Sequence, residues 1–291
     1  MGKSARAQNA RLVELRAQQA KAERRSKLMI AGATVGVVAI VVIALVIAAL
    51  QGGTDVTGQS STALDQATFA KVTSVPAASL DTVGAGASDN PPKTIDAPAL
   101  TKDGKPRVLY VGAEYCPYCA TERWPLVVAL SRFGTWNNLS ASFSAPAPEV
   151  NPNTATVSFH GATYSSQYVS FTGYETSTNK QTNGQWGKLD TLEGEDLALF
   201  QKFNAPPYVQ SSGAIPWINL GGTSIQAGAS YNSAVILNKT QAEIATALAD
   251  PTTDIAKGVN GAANVLTAQI CKSTNQQPTA PGVVAAAAKL Q

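Results

Sequence analysis

From Leu28 to Leu50 the chain runs 23 residues without a charge, dominated by Val, Ile, Ala and Leu. A helix of that length crosses a hydrocarbon core of about 30 Å, so the pattern predicts a transmembrane segment. A cleaved signal peptide is the alternative, with Ala48-Ala49 as a weak small-residue feature. Signal h-regions run only about 7 to 15 residues, and the length favours an uncleaved anchor. Gln51 to Ser61 is rich in Gly, Thr, Ser and Gln and predicts a flexible spacer. Apolar positions return at Leu64, Phe69, Val72, Val75 and Leu80, interrupted by Pro76, which predicts a short helix docking on the main domain.

Beyond a second break at Gly84 to Pro92, Lys93 to Thr101, the Asp103-Gly104 turn and Arg107 to Ala113 predict a hairpin with Val108 to Val111 in its second strand. Trp124, Leu126, Val127, Leu130 and Phe133 then recur at helical spacing, predicting a helix over Cys119 to Phe133 with a kink at Pro125. Leu139 to Phe143, Ala155 to Phe159 and Tyr168 to Phe171 alternate as strands do. Asp190 to Phe203 has the spacing of an amphipathic helix. Ile215 to Leu220 and Ser224 to Ala227 flank Gly221-Gly222 as a hairpin. Helices follow over Thr240 to Leu248, capped by Asn238 or Thr240, and over Thr252 to Cys271. The organisation expected is a basic cytoplasmic tail (1–27), a transmembrane helix (28–50), a linker and docking segment (51–92), a main α/β domain (93–275) and a flexible tail (276–291).

Charge fixes the orientation. The first 27 residues hold eight Lys and Arg against Glu14 and Glu23, and no such cluster follows Leu50. The positive-inside rule then predicts a cytoplasmic N-terminus and a main domain outside the cell membrane, as a single-pass protein. Without that tail the chain keeps 14 basic and 17 acidic residues, so its folded part offers no basic field for nucleic acid.

The chemistry concentrates at Cys116-Pro117-Tyr118-Cys119. A Cys-x-x-Cys between a strand and a helix places both sulfurs on the first turn, with the first beside unpaired backbone N–H groups and the positive end of the helix dipole. That favours the thiolate of Cys116 as nucleophile, with Cys119 as the resolving thiol of disulfide exchange. Pro117 and Tyr118 add no charge, so the helix terminus is the expected main source of any pKa lowering. Half of a zinc site is the alternative, but Cys271 and His160, the remaining soft donors, lack paired spacing. A purely structural disulfide is the other, and closing four residues constrains little of the unfolded chain. Cys271 reads as a buried helix cysteine or, alternatively, a transient partner of the pair. His160 receives no role.

These residues resemble the thioredoxin superfamily. Val108 to Val111 looks like its central strand, Ala113-Glu114-Tyr115-Cys116 is similar to its Ala-Glu-Trp-Cys approach, and the dithiol motif matches that of glutaredoxins. Ile215-Pro216 before Trp217 to Leu220 resembles the family's cis-proline loop, which implies that Pro216 lies against the dithiol and that the backbone before it pairs with substrate. The resemblance thus implies a thioredoxin-like fold with Cys116, Cys119 and Pro216 in the catalytic site and Ile215, Tyr118 and Trp217 facing substrate. Two departures stand out. The family's buried Asp, six positions before the first cysteine, is Tyr110 here, leaving Glu114 as the nearest carboxylate for proton transfer, although an exposed loop acid is its plainer reading. About 80 residues between Phe133 and Ile215 exceed the thioredoxin spacing and imply an inserted region. Its Tyr164, Tyr168, Phe171, Tyr174 and Trp186 are candidates for a partner surface, with core packing expected for most. The whole layout resembles a family of thioredoxin-like membrane proteins described as a domain of unknown function (family 929).

The function expected is a membrane-anchored thiol–disulfide oxidoreductase that acts on extracytoplasmic protein thiols or disulfides, with no cofactor or metal beyond its own dithiol and with an unidentified redox partner. The alternative is a non-catalytic thioredoxin-like accessory or assembly factor of a membrane complex. The topology is tested by reporters fused after Gln51 and after Gln291, both expected to read as extracytoplasmic. Cytoplasmic activity at either site refutes the orientation, and a mature N-terminus near Gln51 refutes the uncleaved anchor.

Overall fold

The computed structural model describes residues 55–278. The basic tail, the Leu28–Leu50 span, the first four spacer residues and residues 279–291 lie outside the described residues. Among the described residues no helix is long and apolar enough to cross a membrane.

The described chain is mixed α/β. In order it comprises β1 (Thr62–Ala63), α1 (Gln66–Thr73), α2 (Ala77–Val83), β2 (Lys93–Thr94), β3 (Thr101–Lys102), β4 (Lys105–Gly112) and α3 (Pro117–Ser131). Then come β5 (Gly134–Asn137), β6 (Ser140–Phe143), β7 (Ala155–Ser158), β8 (Thr163–Ser166), β9 (Ser170–Glu175), β10 (Ser177–Thr182) and β11 (Gln185–Lys188). Last are α4 (Gly194–Phe203), β12 (Trp217–Leu220), β13 (Ser224–Ala227), α5 (Gln241–Ala247) and α6 (Asp254–Ser273). The main sheet runs β2-β13-β12-β4-β3, and β9 also pairs with β4. Only the β4–β9 contact is parallel, from Arg107↔Ser170 to Gly112↔Glu175.

Because β4 is flanked by β12 and β9, its run Val108-Leu109-Tyr110-Val111 is buried on both faces, which is why it is continuously apolar. Val108 and Tyr110 join Ile218, Leu220, Trp124 and residues of α6 in the larger core. Leu109 and Val111 face the other way, onto Trp217, Ile225 and Phe203, where α4 covers the sheet. The Asp103-Gly104 turn joins β3 to β4 with φ values of 53° and 72°, a conformation that Gly and Asp tolerate.

Helix α3 begins at Pro117, two residues before the expected start, because Pro at the first helical position costs no hydrogen bond and Cys116 serves as N-cap. Pro125 lies inside the helix and lacks the N–H that would bond the Thr121 carbonyl. The Tyr231 hydroxyl donates to that oxygen instead, at 3.1 Å. The predicted docking helix is two helices, with Pro76 as N-cap of the second, and Val72 and Leu80 enter the main core.

The spacer reading holds poorly for residues 55–61. Asp55 accepts from the N–H groups of Asn183 and Gly184 at 3.1 and 3.0 Å, Gln181 N donates to the Val56 carbonyl at 2.7 Å, and Gly58 N donates to the Asn179 carbonyl at 3.0 Å. Backbone pairing needs no apolar side chains, so composition could not reveal it. The segment continues as β1 against β6, which pairs in turn with β7. Trp136, Phe159, Tyr164 and Phe171, between α3 and Ile215, form an aromatic cluster against Tyr110, so Tyr164 and Phe171 pack against the core.

One buried carboxyl on α3 has no cation beside it. Glu122 accepts from Ser230 N at 2.8 Å and Gln226 Nε2 at 2.9 Å, and the Ser230 hydroxyl lies 2.6 and 2.7 Å from its two oxygens. Burial raises its pKa to about 7 against the lowering effect of those donors. The folded state therefore favours the protonated acid. The stability this contributes is complete below the unfolded value of 4.5 and is lost as the pH rises to about 7, an effect on the order of 3 kcal/mol. Glu122→Gln should flatten that dependence. In urea unfolding at pH 5 and pH 8, wild type should lose more stability between the two than the variant, and equal losses would contradict the assignment.

Candidate active site

The two cysteines sit where β4 hands the chain to α3. Cys116 has extended backbone as the N-cap, and its sulfur accepts the Cys119 N–H at 3.2 Å. Cys119 falls on the first turn and is fully buried, while Cys116 is 5% exposed. The Ile215 carbonyl lies 3.8 Å from the Cys116 sulfur as a hydrogen-bond acceptor for the thiol, and the Ile215–Pro216 peptide is cis. The structure thus brings together Cys116, Cys119, Ile215 and Pro216 from segments about 100 residues apart, as the family resemblance implies.

The electrostatics of the two thiols diverge. Cys116 is held below the ordinary thiol range, first by the hydrogen bond from the Cys119 thiol, against burial, with help from the Cys119 and Tyr118 N–H groups and the charge of Arg123. Cys119 is pushed well above that range, first by burial and then by its bond to Cys116. The neighbouring thiol therefore outranks the helix terminus expected to dominate, because a thiol pointed at a sulfur stabilises its charge directly.

The other expected site residues separate. Tyr118 is 45% exposed, on the tip between the cysteines. Together with Asn151, Gly228, Ala229 and Asn232 it lines a surface depression of about 510 Å³. Val150, beside Asn151, is the other large hydrophobic residue found exposed among the described residues. Trp217 does not face a partner. It is fully buried on the second face of the sheet, with Phe200 edge-on at 5.5 Å, because side chains alternate along β12 and its turn falls inward. Glu114 is not an exposed loop acid either. It is buried and accepts the Ser61 hydroxyl at 2.9 Å.

Cys271 and His160 lie apart from the dithiol. Cys271 sits buried on α6 near Arg132, the C-cap of α3, at the far end of a 15-residue helix from Cys116. At 1.5 Å per residue that is roughly 20 Å, too far for a transient disulfide with the pair. His160 Nδ1 lies 2.6 Å from Asp190 Oδ1. Among the described residues no group of three or more His, Cys, Asp or Glu converges on one point.

Two further residue pairs adjoin the dithiol. Arg123, four residues after Cys119 on α3, is fully buried and forks onto Glu175 at 2.7 and 2.6 Å. Tyr115, next to Cys116, stacks on Trp186 of β11 with ring centroids 4.6 Å apart and planes 4° apart. A charged residue at i+4 from a cysteine in an apolar helix was a visible signal for Arg123. Glu175 and Trp186, over 50 residues away, carried none.

The profile of a family described as "Domain of unknown function (DUF929)" matches residues 92–191. This is the family that the motifs resemble, and the matched stretch contains the dithiol, Arg123, Glu175 and Trp186 but ends before Ile215. No curated protein and no solved structure matches the chain.

The thiol environments predict unequal reactivity. In the reduced protein at pH 7, a small alkylating reagent should modify Cys116 at least about tenfold faster than Cys119 or Cys271, since only the thiolate reacts. Peptide mapping of partial modification reads the order, and faster labelling of Cys119 would reverse the roles.

Proposed function

We propose that the chain is a membrane-anchored extracytoplasmic thiol–disulfide oxidoreductase acting on proteins through Cys116 and Cys119, and that its sheet and helices form a thioredoxin-like fold. The observation that carries this reading is the buried thiol pair at the start of α3, with the Cys116 sulfur against the Ile215 carbonyl. The fold proposal draws support from the order of parts. Strand β4 leads into the dithiol helix, β9 runs parallel beside it, the Ile215–Pro216 peptide precedes the β12–β13 hairpin, and α6 packs along α3.

Exchange follows from the two thiol environments. Cys116, as thiolate, attacks one sulfur of a partner disulfide along the S–S axis; a bond forms between Cys116 and that sulfur, and the other partner sulfur leaves with the electron pair as a thiolate. Cys119 then loses its proton and attacks the Cys116 sulfur, closing the Cys116–Cys119 disulfide and expelling the second partner thiolate. Two electrons pass to the partner, and two protons reach its thiolates through solvent. In reverse, the same steps oxidise a partner dithiol. A backbone carbonyl beside the nucleophile and the exposed Tyr118 tip are suited to a partner lying as an extended strand along residues 215–216, with an apolar side chain in the depression beside Tyr118.

Cys119→Ser should leave the first step intact and remove the second. Expressed in the native host and separated without reductant, this variant should accumulate mixed disulfides that require Cys116 and disappear on reduction. If none accumulates, and a Cys116→Ser/Cys119→Ser protein restores every phenotype of a deletion strain, the oxidoreductase reading fails and a docking or assembly role takes its place.

A further inference from the structure

Resting on the oxidoreductase reading, we propose that Arg123, clamped by Glu175, is a positioning residue that keeps a positive charge beneath the dithiol and poises the pair to accept electrons.

The geometry begins on the helix. Residues four apart share a face, and helical side chains lean toward the N-terminus, so Arg123 reaches back under Cys119. Its Nη2 donates to the Ala113 carbonyl at 2.7 Å, and the Cys116 N–H donates to that same oxygen at 3.2 Å. One carbonyl oxygen therefore links the guanidinium to the backbone of the nucleophile. Nε and Nη2 also hold Glu175, whereas Nη1 is buried and has no hydrogen-bond partner among the described residues. The Tyr110 hydroxyl, in the position where the resemblance leads one to expect a carboxylate, is likewise buried without a partner. Arg123 donates to neither sulfur, and it acts on them through its field.

Stability alone is a weak reason for this arrangement. Both side chains of the pair are fully buried, and a buried ion pair is often no more stabilising than apolar residues of the same volume. A helix that needed only packing would carry Leu or Met at 123. What the charge supplies is a preference for the reduced, thiolate-bearing form of the dithiol over the neutral disulfide, and favouring the reduced form raises the reduction potential. The charge of Arg123 acts in that direction on both thiols. Burial opposes that charge, but Glu175, by charge and hydrogen bond, together with Tyr110 and Cys119 more than offsets the opposition, so the guanidinium stays ionised. The remaining titratable groups nearby are Tyr110 on β4, Tyr115 and Glu114 in the loop before α3, and Glu175 on β9. None of them is a cation, so Arg123 is the only positive charge among them.

The test uses two substitutions with opposite expected signs in the full chain. Glu175→Gln keeps an acceptor for Arg123 and removes the anion, so the Cys116 thiolate should titrate lower and the reduction potential should rise. Arg123→Met/Glu175→Gln removes both charges without leaving one orphaned. It should raise the thiolate pKa by about one unit, a tenfold loss of thiolate at a given pH, and lower the potential by about 30 mV. Arg123→Lys, retaining the charge, should stay near wild type. Thiolate absorbance against pH, and the Cys116–Cys119 disulfide fraction in glutathione buffers read by mass spectrometry, give both quantities without any physiological partner. Opposite shifts support the proposal, because loosened packing would move both variants the same way. Unchanged values in Glu175→Gln, or shifts of one sign in both, overturn it, and if the double variant does not fold the sign in Glu175→Gln decides. Loss of partner trapping by Cys119→Ser with these shifts intact would instead count against the oxidoreductase reading alone.

Discussion

Strand β4 meets β12 along one edge and β9 along the other, and helices lie over both of its faces, so its four central side chains lose all contact with water. Everything at the site inherits its position from that burial. The strand ends at Gly112, the chain turns through Glu114 and Tyr115, and α3 starts on Pro117 with both sulfurs at its first turn. Because β12 is paired residue for residue with β4, the Ile215–Pro216 peptide just before it arrives beside those sulfurs. A shift of one residue in the β4–β12 register would turn Trp217 onto the opposite core face, where Ile218 and Leu220 pack against α3 and α6, and carry the Ile215 carbonyl away from Cys116.

Helix α3 is buried on nearly every side, and its polar residues are consumed in holding it. Thr121 bonds Ser233 at 2.9 Å, Glu122 takes the Ser230 and Gln226 donors behind the β13 end, and Arg123 reaches β9 through Glu175. Three consecutive side chains thus fix the helix to three different parts of the chain. Such directional contacts specify rotation and height in a way that apolar packing does not, and disulfide chemistry requires both, since the sulfurs must meet in line.

The stretch between α3 and Ile215 does more than lengthen a connection. It supplies β9 to the main sheet, and with it Glu175, and it lays Trp186 flat on Tyr115 beside the nucleophile. The segment from Asp55 to Ala63 runs along β10 and β6 and delivers Ser61 to Glu114. The approach to the dithiol is therefore framed by chain from both before and after the β4–α3 unit, leaving Tyr118 and the depression beside it as the open side.

Local chemistry was written plainly in the chain. Period-two and helical spacing located β4, α3, the β12–β13 hairpin and the last two helices, because each element's pattern reflects which of its own faces is buried. The Cys-x-x-Cys at a strand–helix junction marked one half of the site from its own neighbours, whereas the Ile-Pro before a strand was tied to it only through the family resemblance. Pairings between distant segments were decided only in the folded chain. No local pattern shows that Glu175 would clamp Arg123, that Ser61 would bind Glu114, that a polar spacer would be held by backbone hydrogen bonds, or that Trp217 would point into the second core layer. Each of these depends on which surface a residue meets after the sheet closes, and that is set by the packing of the whole rather than by the residue's own sequence neighbourhood.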